Sequence, residues 1–286
     1  MSPISIMTQR FLSTLILWLT FAGTLLILEI PGAISVIILL SFLTQYEVYQ
    51  LLEHAGTQPW KRLGLSCGLL ITVGTGLMPA AAIAATSSVG SVLLFISLLV
   101  LSSSLLIRPI HTQTLYSFMG TLTGLLYTPF TLQFYILLLK DFQRDGRPTM
   151  GLFLLIWLIL VAKFTDVGGL WIGRRFGRTH LLPLVSPRKT REGALGGIAI
   201  AFGIGTLFVA VFRPYFPEDV SPLLAGLLAI PVALLAITSD LFASFLKRQA
   251  KVKDSGVLIP GIGGVLDLTD SLLLTAPLGY LLFCIL

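Results

Sequence analysis

Apolar residues fill long runs of this chain, and two of these runs, residues 63–107 and 109–139, contain no charged side chain. A helix needs about 20 apolar residues to cross the hydrocarbon core of a bilayer. A strand of a membrane barrel instead alternates apolar and polar positions over about ten residues. The runs therefore predict an all-α, polytopic integral membrane protein with about nine transmembrane helices. The predicted spans lie near residues 11–28, 33–51, 63–78, 90–107, 115–139, 150–173, 194–212, 222–240 and 271–286.

Two of these spans allow a second interpretation. The first is preceded by no multiply charged segment, and no convincing small-residue cleavage site precedes Glu29, so we expect a retained helix and not a signal peptide. The fifth is long and contains Pro129, so two shorter or re-entrant pieces are an alternative to one helix. Along the sequence, we divide the chain into N-terminal membrane helices (residues 1–140) and C-terminal membrane helices (residues 141–286).

Composition excludes several classes of protein. Hydrophobic residues make up 55% of the chain, charged residues make up 11%, and the mean hydropathy is +0.94. A soluble domain carries roughly a quarter of its residues as charged side chains. A soluble enzyme, a disordered chain and a disulfide-stapled secreted domain are therefore excluded.

The positive charge is concentrated in two polar segments. Of the 19 lysines and arginines, seven lie within residues 163–191 and four within residues 247–253. By the positive-inside rule, we expect a multi-pass protein of the cell membrane whose N-terminus and active-site loops are cytoplasmic. A loop with Lys140, Arg144 and Arg147 would then lie outside, against the rule. Charge confined to loops does not indicate a nucleic-acid partner.

Asp166 is the first candidate functional residue, because it follows an apolar run and lies inside a predicted helix. An ionisable group within a membrane span costs roughly 2.5–3.5 kcal/mol, so such a group is a functional-site hypothesis by default. The alternative is a simple salt bridge to Lys163, about one helical turn away.

Residues 186–193 form the second candidate segment. Ser186, Arg188, Lys189 and Thr190 precede a glycine-rich helix entry. Cations, hydroxyl groups and backbone N–H groups that converge in this way suit a phosphate group. The alternative is a cytoplasmic loop that contacts anionic lipid headgroups.

The third candidate segment follows the eighth span. Asp240, Ser244, Lys247, Arg248 and Lys251 have spacings that place them along one side of a continuing helix. Lys253 and Asp254 come next in the chain and complete this basic segment.

A glycine-rich loop then leads to Asp267 and Asp270, which we expect to share a face at the start of the final span. Together with Asp240, these residues make three carboxylates that would repel one another without a cation. Carboxylate oxygens suit Mg²⁺, which also binds substrate phosphates, so the cluster indicates metal-assisted phosphoryl or nucleotidyl transfer. The alternative is a headgroup anchor in which aspartates and lysines only pair.

Residues 244–271 resemble the carboxy-terminal signature of the integral-membrane phosphatidate cytidylyltransferases, also called CDP-diacylglycerol synthases. That signature is S-x-x-K-R-x4-K-D-x-G-x-x-x-P-G-H-G-G-x-x-D-R-x-D-S. The chain matches it at Ser244, Lys247, Arg248, Lys253, Asp254, Gly256, Pro260, Gly261, Gly263, Gly264, Asp267 and Asp270. The middle segment is also similar to the family at Asp166, Gly173, Gly177, Ser186, Pro187, Lys189, Thr190, Glu192, Gly193 and Gly197.

The resemblance implies that a phosphate oxygen of phosphatidate attacks the α-phosphorus of CTP, which gives CDP-diacylglycerol and pyrophosphate. The implied partners are CTP, phosphatidate or a related lipid phosphate, and membrane lipids, and a homodimer is an alternative to a monomer. The implied cofactor is Mg²⁺. The implied roles are catalytic for Lys247, Arg248, Lys253, Asp254 and Asp166, substrate-binding for Ser186, Lys189, Thr190, Ser244, Gly263 and Gly264, and metal-binding for Asp240, Asp267 and Asp270.

The chain departs from the family pattern at a few positions near the implied triphosphate site. Ile262 replaces the signature histidine, and Leu268 replaces the signature arginine. Arg188 stands where the family usually has glycine, and it would restore one positive charge. A divergent paralogue with an altered lipid-phosphate substrate, or one that serves as a membrane partner without catalysis, is therefore the alternative to a working enzyme.

Overall fold

The structure is a computed structural model that describes residues 3–79, 89–258 and 263–285. These residues are predominantly helical. The helices are α1 (Pro3–His54), α2 (Lys61–Leu77), α3 (Val89–Leu106), α4 (Thr112–Tyr127), α5 (Pro129–Arg144), α6 (Pro148–Phe176), α7 (Arg191–Val211), α8 (Pro222–Gln249), α9 (Leu266–Thr269) and α10 (Thr275–Ile285), with one 3₁₀ turn, Arg213–Tyr215. Two strands, β1 (His180–Leu182) and β2 (Ser186–Thr190), lie between α6 and α7.

Among the described residues, 6 helical segments are long and apolar enough to cross a membrane. They are Ile27–His54, Val89–Leu106, Thr112–Gln143, Pro148–Phe176, Arg191–Val211 and Pro222–Gln249. The predicted helical membrane protein is therefore confirmed, whereas the count of about nine spans stays a prediction.

Prolines explain two breaks in the helices. Inside α1, Glu29 has a non-helical backbone (φ 47°, ψ −126°), and Pro31 follows it. Thr128 separates α4 from α5, which begins at Pro129. Proline has no backbone N–H, and its ring crowds the carbonyl group four residues before it, so each proline interrupts the hydrogen bonding of a continuous helix. The first break falls between the predicted spans 11–28 and 33–51, and the second divides the predicted fifth span into two pieces.

Two predictions about helix ends are wrong. The final helix begins at Thr275 and not near residue 271, because residues 270–274 form turns. Asp270 therefore follows the short helix α9, and it does not share a helical face with Asp267. Lys251 does not continue the basic side of α8, because α8 ends at Gln249 and Lys251 has a positive φ of 56°.

The described residues form two compact units, each built from separate stretches of the chain. The described part of the first unit comprises residues 3–78, 89–133, 246–258 and 263–269, and that of the second comprises residues 79, 134–245 and 270–285. The boundary that we expect near residue 140 divides the sequence, whereas the compact units draw on stretches from both sides of it.

A buried tyrosine organises the first unit. Tyr49 of α1 is 0% exposed, and its hydroxyl donates to the carbonyl of Thr121 at 2.9 Å. Gln45 donates to the same hydroxyl at 3.0 Å and to the carbonyl of Gly64 at 2.9 Å. The contacts join α1 to α2 and α4, so the buried polar groups of Tyr49 and Gln45 have partners.

Close packing of α6 against α7 organises the second unit. A Cβ atom at Gly193 would lie 2.6 Å from the carbonyl oxygen of Gly169, and one at Gly197 would lie 2.5 Å from that of Thr165. Small residues spaced four apart let two helix backbones approach in this way. The approach fixes the position of the α6 residues that carry the candidate site.

The strands β1 and β2 form a small antiparallel hairpin, with His180 opposite Thr190 and Leu182 opposite Ser186. The all-α prediction did not include this hairpin. The backbone N–H of Arg191 donates to the carbonyl of Thr179 at 2.9 Å, so the hairpin is tied to the start of α7. The predicted phosphate-binding segment is therefore mostly a strand that leads into a helix.

Gly197→Ala should destabilise the second unit, although alanine favours a helix more than glycine does. The added methyl group meets the backbone of α6, and overpacking costs roughly 1–3 kcal/mol. Gly203 of the same helix is the matched control, because a Cβ there meets nothing within 4 Å. Gly203→Ala should therefore be neutral or stabilising by about 0.5–1 kcal/mol. Thermal unfolding of the purified protein in detergent measures both, and equal effects would refute the assigned helix contact.

Candidate active site

The second unit brings a lysine and an aspartate together from distant parts of the chain. Lys189 of β2 forms an ion pair with Asp240 of α8. The side chains of Lys189 and Asp240 are 26% and 18% exposed, so the pair is largely withdrawn from solvent. Such a pair is held firmly, because separating the charges would leave each one poorly solvated.

This ion pair lines a cavity of about 280 Å³. Asp166 and Arg188 also line it. The other lining residues are Thr165, Gly169, Leu170, Leu181, Ser186, Thr190, Gly193, Ala194 and Ile237. The cavity thus combines two basic side chains, two carboxylates and hydroxyl groups with an apolar wall. An amphiphilic molecule with an anionic head matches this lining.

Asp166 lies on α6 within the electrostatic range of Asp240, Lys163 and Lys189, and the hydroxyl of Ser271 is within hydrogen-bonding reach of its carboxylate. Lys163 also contacts Asp270, with Nζ 3.9 Å from Oδ1, and it donates to the Ser271 hydroxyl at 2.9 Å. The simple alternative of a Lys163–Asp166 salt bridge is therefore incomplete. Lys163 belongs to a network that extends to Ser271.

The hairpin is held at the start of α7 by two side chains. The carboxylate of Glu192 accepts hydrogen bonds from the backbone N–H groups of Arg178 and Thr179, and from the Thr179 hydroxyl at 2.6 Å. The Thr190 hydroxyl oxygen accepts from the N–H of Gly193 at 3.1 Å and so caps the helix. Thr190 thus has a structural role in addition to its predicted role in substrate binding.

Asp270 is attached to α8 through its main chain, because its carbonyl accepts a hydrogen bond from the Ser239 hydroxyl. Its carboxylate accepts from the N–H of Ser271 at 2.8 Å. On α8 itself, Ser244 Oγ lies 3.5 Å from Asp240 Oδ1. The predicted residues Asp240, Ser244 and Asp270 therefore belong to one polar region of the second unit.

The first unit contains a second polar cluster around Asp267. Lys247 Nζ donates to Asp267 Oδ1 at 2.7 Å, and the two side chains are 12% and 14% exposed. Asp267 Oδ2 accepts from the N–H groups of Ser255 and Gly264, each at 3.0 Å. It also accepts from the Ser255 hydroxyl at 3.1 Å. Lys247 lies on α8, whereas Ser255 and Gly264 lie in or beside the glycine-rich loop.

These contacts hold the pKa of Asp267 below its ordinary value of 3.8. Burial alone would raise the pKa of this carboxyl group. The nearby Lys247 ammonium and the N–H groups of Ser255 and Gly264 stabilise the carboxylate and outweigh burial. Asp267 is therefore anionic throughout the physiological pH range.

Glu47 is a residue that the sequence interpretation missed. It lies in the apolar run of the second predicted span and is 1% exposed. Its carboxylate accepts from the Ser255 hydroxyl and from the N–H groups of Val265 and Leu266, each at 2.8 Å. The signal that could have revealed it is the same as for Asp166, a carboxylate inside an apolar helix.

The predicted site residues fall into two groups. Asp166, Ser186, Lys189, Thr190, Asp240, Ser244 and Asp270 belong to the second unit, and Lys247, Arg248, Lys253, Asp254, Gly263, Gly264 and Asp267 belong to the first. The side chains of Arg248, Lys253 and Asp254 are exposed. The signature positions Pro260, Gly261 and Ile262 lie outside the described residues.

Asp240, Asp267 and Asp270 are the predicted ligands of a metal ion. In the part of the chain that the structure describes, no group of three or more His, Cys, Asp or Glu side chains is arranged to hold a metal ion. Asp240, Asp267 and Asp270 instead lie beside Lys189, Lys247 and Lys163, respectively. Carboxylate oxygens are nevertheless the ligands that Mg²⁺ prefers, so the donor set suits the predicted ion.

The chain matches the cytidylyltransferase family over residues 8–286. Because the match covers nearly the whole sequence, the chain belongs to this family. The predicted family and the predicted class of enzyme, a CTP-using nucleotidyltransferase, are thereby confirmed.

Similar proteins from several bacteria carry the name phosphatidate cytidylyltransferase. The Synechocystis protein is 30% identical over 295 residues, which cover 96% of this chain and 95% of that protein. The Haemophilus influenzae protein is 38% identical over 151 residues, or 52% of this chain and 51% of that protein. A Helicobacter pylori protein is 41% identical over 126 residues, or 44% and 45%. The chain thus aligns with about half the length of the last two relatives.

Asp267→Asn should lower the stability of the first unit in a pH-dependent way. Because the pKa of Asp267 is lowered in the folded protein, its stabilising effect is complete above its ordinary pKa of 3.8 and disappears as the pH falls through the lower folded value. The expected loss at neutral pH is about 1.5–3 kcal/mol, the usual contribution of a hydrogen bond to a charged group. Denaturant unfolding of the parent and the variant, measured from about pH 3 to about pH 8, tests this prediction.

Asp254→Asn is the matched control in this experiment, because Asp254 is an exposed carboxylate of the same loop. Its effect should be small at every pH. A stability difference for Asp267→Asn that grows as the pH falls below 4 would contradict the assigned direction of the pKa shift.

Proposed function

We propose that this chain is a phosphatidate cytidylyltransferase. It transfers CMP from CTP to phosphatidate and forms CDP-diacylglycerol and pyrophosphate. The observation that carries the proposal is the Lys189–Asp240 ion pair in a cavity with both polar and apolar walls, in a chain of the cytidylyltransferase family. The names of the relatives support the same reaction.

The phosphate of the lipid substrate would bind in this cavity of the second unit. Lys189 and Arg188 supply positive charge, and the Ser186 hydroxyl supplies a hydrogen bond. Leu170 and Ile237 supply an apolar wall for the start of the lipid tails. A cavity of about 280 Å³ is small for an entire nucleotide triphosphate, since ligand pockets usually measure about 300–1,000 Å³. A phosphate headgroup fits this volume better.

The reaction needs little acid–base chemistry from the protein. A phosphomonoester has a second pKa of about 6, so phosphatidate is largely a dianion at neutral pH. One of its oxygens forms a bond to the α-phosphorus of CTP, and the bond from this phosphorus to the bridging oxygen of pyrophosphate breaks. The task of the protein is to orient both phosphates and to stabilise negative charge. We assign this task to Lys189, Lys247 and Arg248.

Asp166, Lys253 and Asp254 complete the proposed catalytic set. Asp166 would orient the lysines of its network in the second unit. The exposed Lys253 is available to bind CTP phosphates beside Gly263 and Gly264, with Asp254 next to it. These roles rest on the resemblance of the signature and on residue chemistry.

We propose Mg²⁺ as the cofactor, with carboxylate ligands at Asp240 and Asp270 in the second unit and at Asp267 in the first. The support is the carboxylate donor type together with the family signature. When bound, Mg²⁺ neutralises charge on the triphosphate and on the departing pyrophosphate. The lysine beside each aspartate balances the carboxylate charge in the structure.

One departure from the family signature favours the alternative function, that of a divergent paralogue. Leu268, which stands in place of the signature arginine, is half-buried beside Asp267 and can bind no phosphate. A protein that has lost this cation would act on another lipid phosphate or serve as a membrane partner. The two functions differ in one result, the CTP-dependent turnover of phosphatidate.

We also propose that the N-terminus and both polar clusters face the cytoplasm, where CTP is available. In the predicted scheme of nine spans, the N-terminus and the C-terminus lie on opposite sides of the membrane. The concentration of Lys and Arg in the segments 163–191 and 247–253 supports it.

The purified protein should release pyrophosphate only when CTP, phosphatidate and Mg²⁺ are all present, and chelation of the metal should stop the reaction. Lys189→Met should lower kcat/KM for phosphatidate about 10- to 100-fold, which corresponds to the loss of one charge-assisted hydrogen bond. Lys61→Met is the control, because Lys61 pairs with Glu53 and belongs to neither set of predicted site residues. Parent protein that binds phosphatidate but never turns over CTP would favour the paralogue.

Single-cysteine labelling checks the topology in a background without Cys67 and Cys284. Leu184→Cys in the hairpin and Lys251→Cys after α8 should react with a membrane-impermeant thiol reagent only after permeabilisation. Glu218→Cys, between α7 and α8, should react in intact cells. These three positions are exposed, so burial does not limit the reaction. Labelling of Leu184→Cys from outside would overturn the proposed orientation.

A further inference from the structure

Glu47 connects α1 to both ends of the glycine-rich loop. Its Oε2 accepts from the Ser255 hydroxyl, before the glycines, and from the N–H of Leu266, after them, each at 2.8 Å. Its Oε1 accepts from the N–H of Val265 at 2.8 Å. These contacts span more than two hundred residues of sequence, so one side chain fixes the separation of the two loop ends.

The chain leaves little space around the carboxylate of Glu47. A Cβ atom at Gly256 would lie 2.7 Å from Glu47 Oε1, and one at Gly264 would overlap Oε2 and the Ser255 hydroxyl. Glycine at these two positions therefore allows the loop backbone to approach the carboxylate. A buried carboxylate is costly unless its oxygens are hydrogen-bonded, and the three donors meet this requirement.

Ser255 connects Glu47 to Asp267. Its hydroxyl lies 2.8 Å from Glu47 Oε2 and 3.1 Å from Asp267 Oδ2, and its N–H donates to Asp267 Oδ2 at 3.0 Å. A hydroxyl group carries one proton, so Ser255 donates it to one carboxylate at a time, and the shorter distance favours Glu47 while the Ser255 N–H serves Asp267. Asp267 in turn binds Lys247 at 2.7 Å. Glu47 is thus connected to Lys247 through Ser255 and Asp267.

We propose that Glu47 is a positioning residue for the cytidylyltransferase reaction. It holds Ser255 and residues 264–266 beside Asp267 and keeps this carboxylate and Lys247 oriented for the triphosphate. It touches no reacting atom. The catalytic part of this inference rests on the proposed function. The hydrogen bonds of Glu47 to both ends of the loop, which we call the clamp, rest on the observed contacts alone.

A carboxylate is required at this position. Glutamine has nearly the same shape, but it offers one acceptor oxygen and an NH₂ group that only donates. The NH₂ group would face the N–H of Val265 or that of Leu266, and this buried donor would lose its partner. Aspartate keeps both acceptor oxygens and the charge, although its side chain is shorter by one CH₂ group. Glu47→Asp should therefore recover part of the function that Glu47→Gln loses.

Gln45→Met is the matched control for general loss of stability. Gln45 lies two residues before Glu47 on α1 and is also 1% exposed, but its hydrogen bonds go to Tyr49 and Gly64. Both substitutions remove a buried polar contact from the same helix. Only Glu47→Gln alters a contact with the loop.

Steady-state kinetics and limited proteolysis test the proposal together. Glu47→Gln should lower kcat about 10- to 100-fold with a change in KM for phosphatidate of less than about 3-fold, because orientation is lost while the lipid cavity of the second unit is intact. Trypsin should cleave the resting variant after the exposed Lys251 and Lys253 several-fold faster than the parent. Glu47→Asp should lie between the parent and Glu47→Gln in both measurements, and Gln45→Met should resemble the parent in kcat and in cleavage rate.

The two readouts separate the clamp from the proposed function. If the parent shows no turnover, the proposed function fails, and the cleavage rates still decide whether Glu47 clamps the loop. Parental kcat and parental cleavage in Glu47→Gln would overturn the inference. Equal losses in Gln45→Met and Glu47→Gln would also overturn it, because the effect would then be general destabilisation.

Discussion

The need to pair each buried charge in a chain composed mainly of apolar membrane helices constrains this structure more than any other interaction. An isolated charge at the centre of a membrane helix costs several kcal/mol, and this cost falls when an opposite charge and hydrogen bonds accompany it. The chain meets the constraint by pairing residues that are distant in sequence. Lys189 pairs with Asp240, and Lys163 approaches Asp270. The pairs therefore fix tertiary structure as well as local charge.

Pairing also prepares the polar clusters for phosphate chemistry. A lysine already held beside a carboxylate has lost its hydration and much of its side-chain freedom before any substrate arrives. Groups fixed in advance stabilise developing charge without a further cost of reorganisation. Under the proposed function, an entering phosphate would give the lysine a second anion to bind and would leave carboxylate oxygens for the proposed cation. A site whose charges balance without substrate would thus suit an anionic substrate and a metal together.

The hydropathy pattern was sufficient to predict the long helices, because membrane thickness sets their length and the lipid environment sets their apolar composition. It also placed Asp166 inside a helix. It missed the hairpin, because strands of 3 and 5 residues with the sequences His-Leu-Leu and Ser-Pro-Arg-Lys-Thr show no useful alternation. It placed Asp270 on a helical face in error, because helical spacing was extended across a turn. In that turn, the Asp270 carboxylate binds the next backbone N–H.

The Lys247–Asp267 contact illustrates what a one-dimensional pattern omits. The two residues are 20 apart in sequence, and a glycine-rich loop lies between them. No helical or strand period relates them, so only the path of the loop decides whether they meet. The family signature marked both residues as important but gave no geometry. The contact became visible only with the backbone.

The clamp by Glu47 acts mostly on main-chain atoms, which explains why the signature does not reveal it. Two of its three donors are backbone N–H groups, those of Val265 and Leu266, and almost any residue supplies such a group. Ser255, Val265 and Leu266 all occupy positions that the signature leaves open. The departures at Ile262 and Leu268 involve none of these donors. The hydrogen bonds through which Glu47 holds Ser255 and the residues before Asp267 therefore use no atom of the Leu268 side chain, so this position can differ while the carboxylate keeps its position.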